Sequence, residues 1–373
     1  MDKVRCAIIG AGHWATVAHI PAIRNHPNAD LVALHTLDEG LARQMARDFE
    51  VPFATASVDE LLSLDNLDAV IISSTQNVHY EHTKAALKRG LHVLCEKPLT
   101  LTVAEAEEVV ELADRQEVQF VISCPWNYTR HAHEAKKLIQ SGKLGQLKMI
   151  NILQTNFVLD YFQGRPYAAI FAVSPNLQNP SDVYIEPGQL SLEKPAAGSD
   201  GKVRSHLSDP AIGGGGQVYS QVSHIAAYVG LLTGVDPVEV YARFDNAGLA
   251  VDVYNAINMK LADGTLISLG THGATMMSER NYEVRVYGDQ GMILLELWKG
   301  KLAFHDSAGQ VQHYPDIPET DIYPVRAPAE NLVDSILKKA DNLSSGRLGL
   351  YAMKVIEGAC ESVKTNKNII ITN

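Results

Sequence analysis

The chain has little cysteine, no long apolar run and no excess of basic charge. Its four cysteines, Cys6, Cys95, Cys124 and Cys360, stand far apart in 373 residues. That spacing excludes a disulfide framework and the paired ligands of a structural zinc site, so reduced thiols in a cytoplasmic protein are expected, with no metal. No run of about 18 apolar residues occurs, so no transmembrane helix is expected. Lys and Arg number 32 against 43 Asp and Glu, a formal net charge of −11 with no basic stripe. Nucleic acid and anionic membrane are therefore poor partners. The start, MDKVRC, runs straight into an apolar segment, and no signal peptide is expected. There is no internal repeat and no low-complexity tail. What remains is the composition of a globular protein, 46% hydrophobic and 20% charged, at a length that predicts two domains.

The first third alternates short apolar runs with helical patterns. Strands are predicted at Val4–Ile9, Leu31–Thr36, Val51–Phe53, Ala69–Ser73, His92–Cys95 and Gln119–Ser123. Helices are predicted at Ala15–Asn25, Gly40–Phe49, Val58–Leu64, His79–Arg89 and Val103–Gln116. Pro21 falls inside the first helix as a possible kink, Ser57 caps the third, and Thr102 with Glu105 forms a capping box. This alternation predicts parallel strands with right-handed crossovers, a doubly wound sheet. Between the first strand and helix the chain reads Gly10-Ala11-Gly12-His13-Trp14-Ala15, a G-x-G-x-x-A pattern. Gly10 permits a tight turn, Gly12 lets an anion reach the backbone, and Ala15 lets the helix pack close. The new helix start offers N–H groups and positive dipole to a pyrophosphate.

Beyond about residue 125 the rhythm changes. A helix is predicted over Arg130–Ser141. Alternating runs follow at Lys148–Asn156, Val238–Asp245, Val253–Leu261, Thr265–Thr271, Tyr282–Tyr287 and Met292–Trp298. Glycines at 264 and 288–291 punctuate them, which predicts a large open, mainly antiparallel sheet. Helices are again predicted at Glu330–Lys339 and Gly346–Lys364, the last packing back on the first domain. The predicted division is 1–124 and 125–373. Tyr161–Gly213 is rich in Pro, Gly, Ser and Asn, a connection long enough to be functional or disordered.

Five segments occur in fixed order: GAGHWA at the start, STQNVHYEH at 74–82, HVLCEKPL at 92–99, SGKLGQLKMI at 141–150 and GGGGQVYSQVSHIAAY at 213–228. Together they resemble the glucose-fructose oxidoreductase, inositol dehydrogenase and MocA family of nicotinamide-dependent oxidoreductases, over nearly the whole chain. The resemblance implies an N-terminal Rossmann domain holding NAD or NADP. It also implies a second α+β domain carrying substrate and forming a homodimer or homotetramer through its open sheet face. A small sugar, polyol or glycoside is the implied substrate.

Lys97, after a buried strand at the carboxyl edge of the sheet, is the first catalytic candidate. An ammonium there can hydrogen-bond a substrate oxygen, with its pKa lowered toward working pH. The alternative is a surface ion pair with Glu96. His224 is the candidate proton acceptor, and Ser220 lies one turn before it. The family carries an aspartate at the position of Ser220, and often another at the position of Ala227, so the expected dyad is incomplete. Tyr219 and Gln221 are nearby polar candidates. A buried histidine serving the backbone is the alternative for His224.

Cofactor contacts are expected from Gly10, Ala11, Gly12, His13, Trp14, Ser74, Thr75, Asn77, His79, Glu96 and Lys97. At the ribose-reading position stand Thr36 and Asp38. The absence of Arg or Lys there favours NAD over NADP, while Asp38 equally suits a helix start. Tyr128 and Arg130 are substrate candidates by resemblance, or domain-junction packing. Asp160 and Arg165 near the start of the long connection, and Arg204, His206 and Asp209 near its end, suit polyol recognition or a solvated loop. Three functions follow in order. The first is hydride transfer on a secondary alcohol or ketone. The second is glycoside cleavage by transient oxidation and elimination, and the third is nucleotide sensing without turnover.

Overall fold

The computed structural model describes residues 3–165 and 205–371. The chain divides into two compact units. The first comprises 3–125, 164–165, 205–206 and 325–350; the second comprises 126–163, 207–324 and 351–371. The predicted contact at Arg204 lies outside the described residues.

The first unit is built on a six-stranded parallel sheet, order β3-β2-β1-β4-β5-β6. The strands are β1 (Val4–Ile9), β2 (Ala29–His35), β3 (Phe53–Thr55), β4 (Ala69–Ile72), β5 (His92–Glu96) and β6 (Phe120–Ser123). Its helices are α1 (Ile20–Asn25), α2 (Glu39–Asp48), α3 (Val58–Leu62), α4 (His79–Lys88) and α5 (Val103–Arg115). All four residues of β4 are buried, as a strand covered on both faces requires. The strand order reverses between β1 and β4, so a crevice opens at their carboxyl ends, where doubly wound sheets bind ligands.

Two local expectations change. The short third strand is Phe53–Thr55 rather than Val51–Phe53. The helix expected over Ala15–Asn25 is not one α-helix: Ala15–His19 forms a π-helical turn before α1. Pro21 is the physical reason. It has no N–H and its ring crowds the carbonyl four residues earlier, so the turn before it widens.

A late segment completes this unit. Helix α8 (Ala327–Ile336; α6 and α7 are in the second unit) places Ala329, Leu332 and Val333 in the same core as Leu94 and Val121. Residues 342–345 then run beside β6. The Ile122 N–H donates to the Ser344 carbonyl (2.8 Å), and Ser344 Oγ returns a bond to the Ile122 carbonyl (2.9 Å). Helix α9 (Gly346–Thr365) starts in the first unit, and from Tyr351 its residues belong to the second.

The second unit holds a nine-stranded sheet, order β14-β13-β12-β11-β7-β10-β9-β8-β15. Its strands are β7 (Leu147–Thr155), β8 (Pro237–Asp245), β9 (Tyr254–Leu261), β10 (Leu266–His272), β11 (Asn281–Gly288), β12 (Gly291–Glu296), β13 (Lys301–Asp306), β14 (Val311–His313) and β15 (Ile369–Ile370). The last three are too short or too polar to stand out in the sequence. Strands β7 and β10 pair parallel; the other pairs are antiparallel. Helices α6 (Arg130–Gln140) and α7 (Ser223–Thr233) pack together, and Tyr228 of α7 meets Tyr282 of β11 with ring centroids 6.1 Å apart. On the opposite face Met149, Leu153 and Leu266 are exposed, with Leu266 paired beside Met149.

Candidate functional site

The turn after β1 has the two properties a dinucleotide requires, divided between two glycines. Gly10 has φ +83°, and a Cβ there would lie 2.5 Å from Cα and N of Ser74. This glycine lets the end of β1 close onto the end of β4. Gly12 is the opposite case: a Cβ there would meet nothing within 4 Å. Its exposed backbone faces open space beside the crevice. The turn itself is pinned, since the N–H groups of Gly10 and Ala11 donate to the His35 carbonyl at 3.1 and 2.8 Å. A preformed turn with one uncovered glycine fits the phosphates of NAD, which Gly12 and the following His13 would meet.

Around that turn the polar groups are arranged by their neighbours. Ser74 Oγ lies 3.0 Å from His82 Nδ1. Burial, then His35 and His79, push His82 down to a pKa of about 4, so it is neutral at physiological pH. Thr75 Oγ1 donates to Asn77 Oδ1 at 2.8 Å. The expected cofactor role of His79 is corrected. The ring is buried, with Nδ1 2.7 Å from the Pro98 carbonyl and Nε2 3.0 Å from the Ser74 carbonyl. Both ring nitrogens thus face protein carbonyls, and the ring sits between the Ser74 and Pro98 loops, donating to one of the two while it is neutral.

At the ribose position Asp38 caps a helix. Asp38 Oδ1 accepts from the Leu41 N–H at 2.8 Å, at the start of α2. Thr36 is buried and its hydroxyl donates to the Asp38 carbonyl at 2.8 Å. Neither group is cationic, so nothing in this turn neutralises a 2′-phosphate.

Lys97 follows β5 at the carboxyl edge of the sheet, and the peptide bond to Pro98 is cis. Burial lowers its pKa, against the opposing charge of Glu96. Glu96 is not the surface partner of an ion pair. It is buried, and its Oε1 accepts from Trp14 Nε1 at 2.7 Å and His19 Nε2 at 3.0 Å. The Lys97 N–H donates to Oε2 at 3.2 Å. Burial alone would raise the Glu96 carboxyl, but the bond and charge of His19 and the charge of Lys97 outweigh it and hold the pKa at about 2. Trp14 and Glu96 thus meet each other at the mouth of the glycine turn. His206, at the end of the long connection, feels Lys97 and His79, and burial with these charges lowers it to about 4.

In the second unit His224 sits in the first turn of α7, buried, with its ring 6.5 Å from that of Tyr323. Tyr219, Ser220 and Gln221 lie in the π-helical turn Val218–Val222 just before it; Tyr219 and Ser220 are buried and Gln221 partly exposed. What fixes this turn is Asp252. Its Oδ1 accepts from the Gly216 N–H (2.8 Å), and Oδ2 accepts from the Val218 N–H (2.8 Å) and Asn255 Nδ2 (2.8 Å). Asn255 Oδ1 in turn accepts from Thr271 Oγ1 at 2.6 Å. The glycine run has a steric cause: a Cβ at Gly216 would lie 1.9 Å from the Asp252 carbonyl oxygen. Replacing Asp252 by Ala would leave these buried donors unpaired. Chemical denaturation is expected to show a loss of about 3 kcal/mol or more.

Other expected contacts fall elsewhere. Arg130 donates through one guanidinium nitrogen to the carbonyls of Pro315 (2.7 Å) and Asp316 (3.3 Å), so it ties a loop down rather than standing ready for substrate. Tyr128 closes the turn Pro125–Tyr128 ahead of α6, and Asp160 lies in the single turn Leu159–Phe162. Arg165 is exposed in the first unit. Trp126 is a core residue: its ring lies 4.7 Å from those of Trp298 and Tyr323 and 5.3 Å from Tyr282. Among the described residues no cluster of three or more His, Cys, Asp or Glu is placed to hold a metal, and no helix is long and apolar enough to cross a membrane.

The sequence reading missed His19 and Asp252. The signal for Asp252 was a lone carboxylate between valines in an otherwise apolar run. For His19 there was none, because the π turn that aims it is invisible to a 3.6-residue period.

Comparison with known proteins places the chain. Residues 4–124 match the oxidoreductase family's NAD-binding Rossmann fold, and residues 207–371 match that family's C-terminal alpha/beta domain. The chain belongs to this family and is an NAD-binding, nicotinamide-dependent oxidoreductase. It is 26% identical to an uncharacterized oxidoreductase of Synechocystis sp., over 94% of this chain and 91% of that one. It is 32% identical to glucose-6-phosphate 3-dehydrogenase of Bacillus subtilis, over 41% of this chain and 42% of that protein. A levoglucosan dehydrogenase solved with NADH superposes with a TM-score of 0.77 at 16% identity, covering 100% of both chains.

Proposed function

We propose that this oxidoreductase interconverts a secondary alcohol and a ketone on a sugar, polyol or glycoside. Nicotinamide, when bound at the β1–β4 crevice, supplies or accepts the hydride. Lys97 donates a hydrogen bond to the substrate oxygen and stabilises its anionic character as the C–H bond is made or broken. His224 takes the hydroxyl proton on oxidation and returns it on reduction. Ser220, in the turn just before His224, adds no charge beside the ring. Tyr219 and Gln221, with Tyr128, Asp160 and Arg165, are the candidates for contacts to substrate hydroxyls.

The observation that carries this reading is the partly buried Lys97 at the carboxyl edge of an NAD-binding sheet, where burial lowers its pKa and the charge of Glu96 opposes that shift. The supporting relative acts on a sugar phosphate by its name, and the structural neighbour acts on levoglucosan by its name. The test is a panel of aldoses, inositols, sugar phosphates and glycosides, with nicotinamide absorbance and product followed together. Turnover with a stoichiometric absorbance change supports the proposal. Product without any net change would mean transient oxidation and elimination, and binding without product would mean a sensor.

We also propose that the open sheet face pairs two copies of the chain as a homodimer, or four as a homotetramer. Met149, Leu153 and Leu266 form an apolar stripe there that water would otherwise cover. Leu153→Glu combined with Leu266→Lys is expected to convert the assembly to monomer in light scattering, with the far-UV spectrum unchanged.

A further inference from the structure

Two donors from the glycine-turn segment reach one oxygen of Glu96. Trp14 and His19 are five residues apart, which places them about 140° apart around an α-helix. The π turn removes that separation. Its hydrogen bonds join residues five apart, as the Ile20 N–H to the Ala15 carbonyl shows, so residues at this spacing stack on one face. Trp14 Nε1 and His19 Nε2 therefore both point at Glu96 Oε1, at 2.7 and 3.0 Å. His19 is fully buried and its Nδ1 has no partner among the described residues. Its polar contact is thus made through Nε2, and a carboxylate can only accept, so Nε2 carries the proton. The other carboxylate oxygen of Glu96 accepts from the backbone N–H of Lys97.

We propose that His19 is a positioning residue for this oxidoreductase: through its bond to Glu96 it keeps that carboxylate ionised and fixed, and so keeps Lys97 an ammonium in a partly buried site. The inference rests on the role of Lys97 proposed above. The titratable groups facing Lys97 are Glu96 beside it, Cys124 after β6, His79 at the start of α4, and His206. Burial of the Cys124 thiol pushes it up, so it is uncharged, and burial lowers both histidines, His206 to about 4. Of these four groups Glu96 is the one that carries negative charge. Without His19 the buried carboxylate binds a proton more readily, and the Glu96 charge that opposes desolvation of Lys97 is weakened.

The sign follows. Lys97 already releases its proton below its ordinary value, and losing the Glu96 charge lowers that point further. In His19→Leu, the alkaline limb of the kcat profile is expected to move to lower pH by about one unit or more, a tenfold change in proton affinity. His19→Gln, which retains an N–H donor, should keep the limb close to the parent position. A second measurement is independent of turnover: the 13Cε resonance of Lys97, assigned with Lys97→Arg, titrated in the nucleotide-bound protein without substrate. The same downward shift is expected in His19→Leu and not in His19→Gln. Should His19→Leu not fold, Trp14→Phe removes the other donor to Oε1 and is expected to shift the resonance in the same direction. An unmoved Lys97 titration in whichever of these variants folds, or an equal shift in His19→Gln, would overturn the proposal. If Lys97→Arg leaves kcat and its profile intact while the resonance still follows His19, the reading of Lys97 fails and the His19–Glu96–Lys97 coupling stands.

Discussion

Lys97→Ala is expected to lower kcat by roughly 10³-fold, within the range that positioned proton donors and oxyanion stabilisers contribute. NAD affinity is expected to change little, because the glycine turn is held by the His35 carbonyl rather than by Lys97. The loss should appear mainly in kcat. An interaction that strengthens as the substrate oxygen gains charge is made in the transition state, and its removal is not repaid by tighter ground-state binding. Steady-state kinetics with the best substrate of the panel, beside nucleotide titration by fluorescence, separates the two. An undiminished kcat would remove Lys97 from the chemistry.

Gly12→Val is expected to weaken NAD binding by about 100-fold, close to 2.8 kcal/mol, and to leave the thermal midpoint within about a degree of the parent when no nucleotide is present. The fold offers no obstacle, since a side chain at this position points into open space. It is the ligand that loses its approach to the backbone. Gly10→Ala is the converse. Its Cβ would press on the Ser74 backbone at 2.5 Å, with φ at +83°, so the apoprotein itself should be destabilised. Calorimetric titration and thermal unfolding of the two variants distinguish a glycine required by the ligand from one required by the chain.

Much of this was readable in the sequence where local chemistry and tertiary packing agree. Ser57 caps α3 and accepts from the Glu60 N–H. Thr102 and Glu105 form both arms of a capping box, and β4 is as dry as its AVII run implies. Legibility failed where a residue's role is set by partners far along the chain. Arg130 looked like a ligand-binding cation, and the carbonyls it serves are at 315 and 316. Strand β13 was hidden because three consecutive buried residues, Leu302, Ala303 and Phe304, break the alternation. The parallel pairing of β7 with β10 depends on which strands meet, which periodicity does not encode. Asp252 was passed over for a similar reason. Its value lies in three donors, two of them backbone groups 34 and 36 residues earlier.

The stretch beside β6 bears on how the protein is made. Ser344 and Ile122 are 222 residues apart in sequence, yet their mutual bonds shield what would otherwise be a bare strand at the rim of the first sheet. A ribosome must therefore deliver the chain through Leu332 and Val333 before they roof the strands beneath them, and through Ser344 before that rim is closed. Until then the nascent N-terminal half carries an adhesive border, open to pairing with other chains. A fragment ended at residue 124 would keep that border permanently.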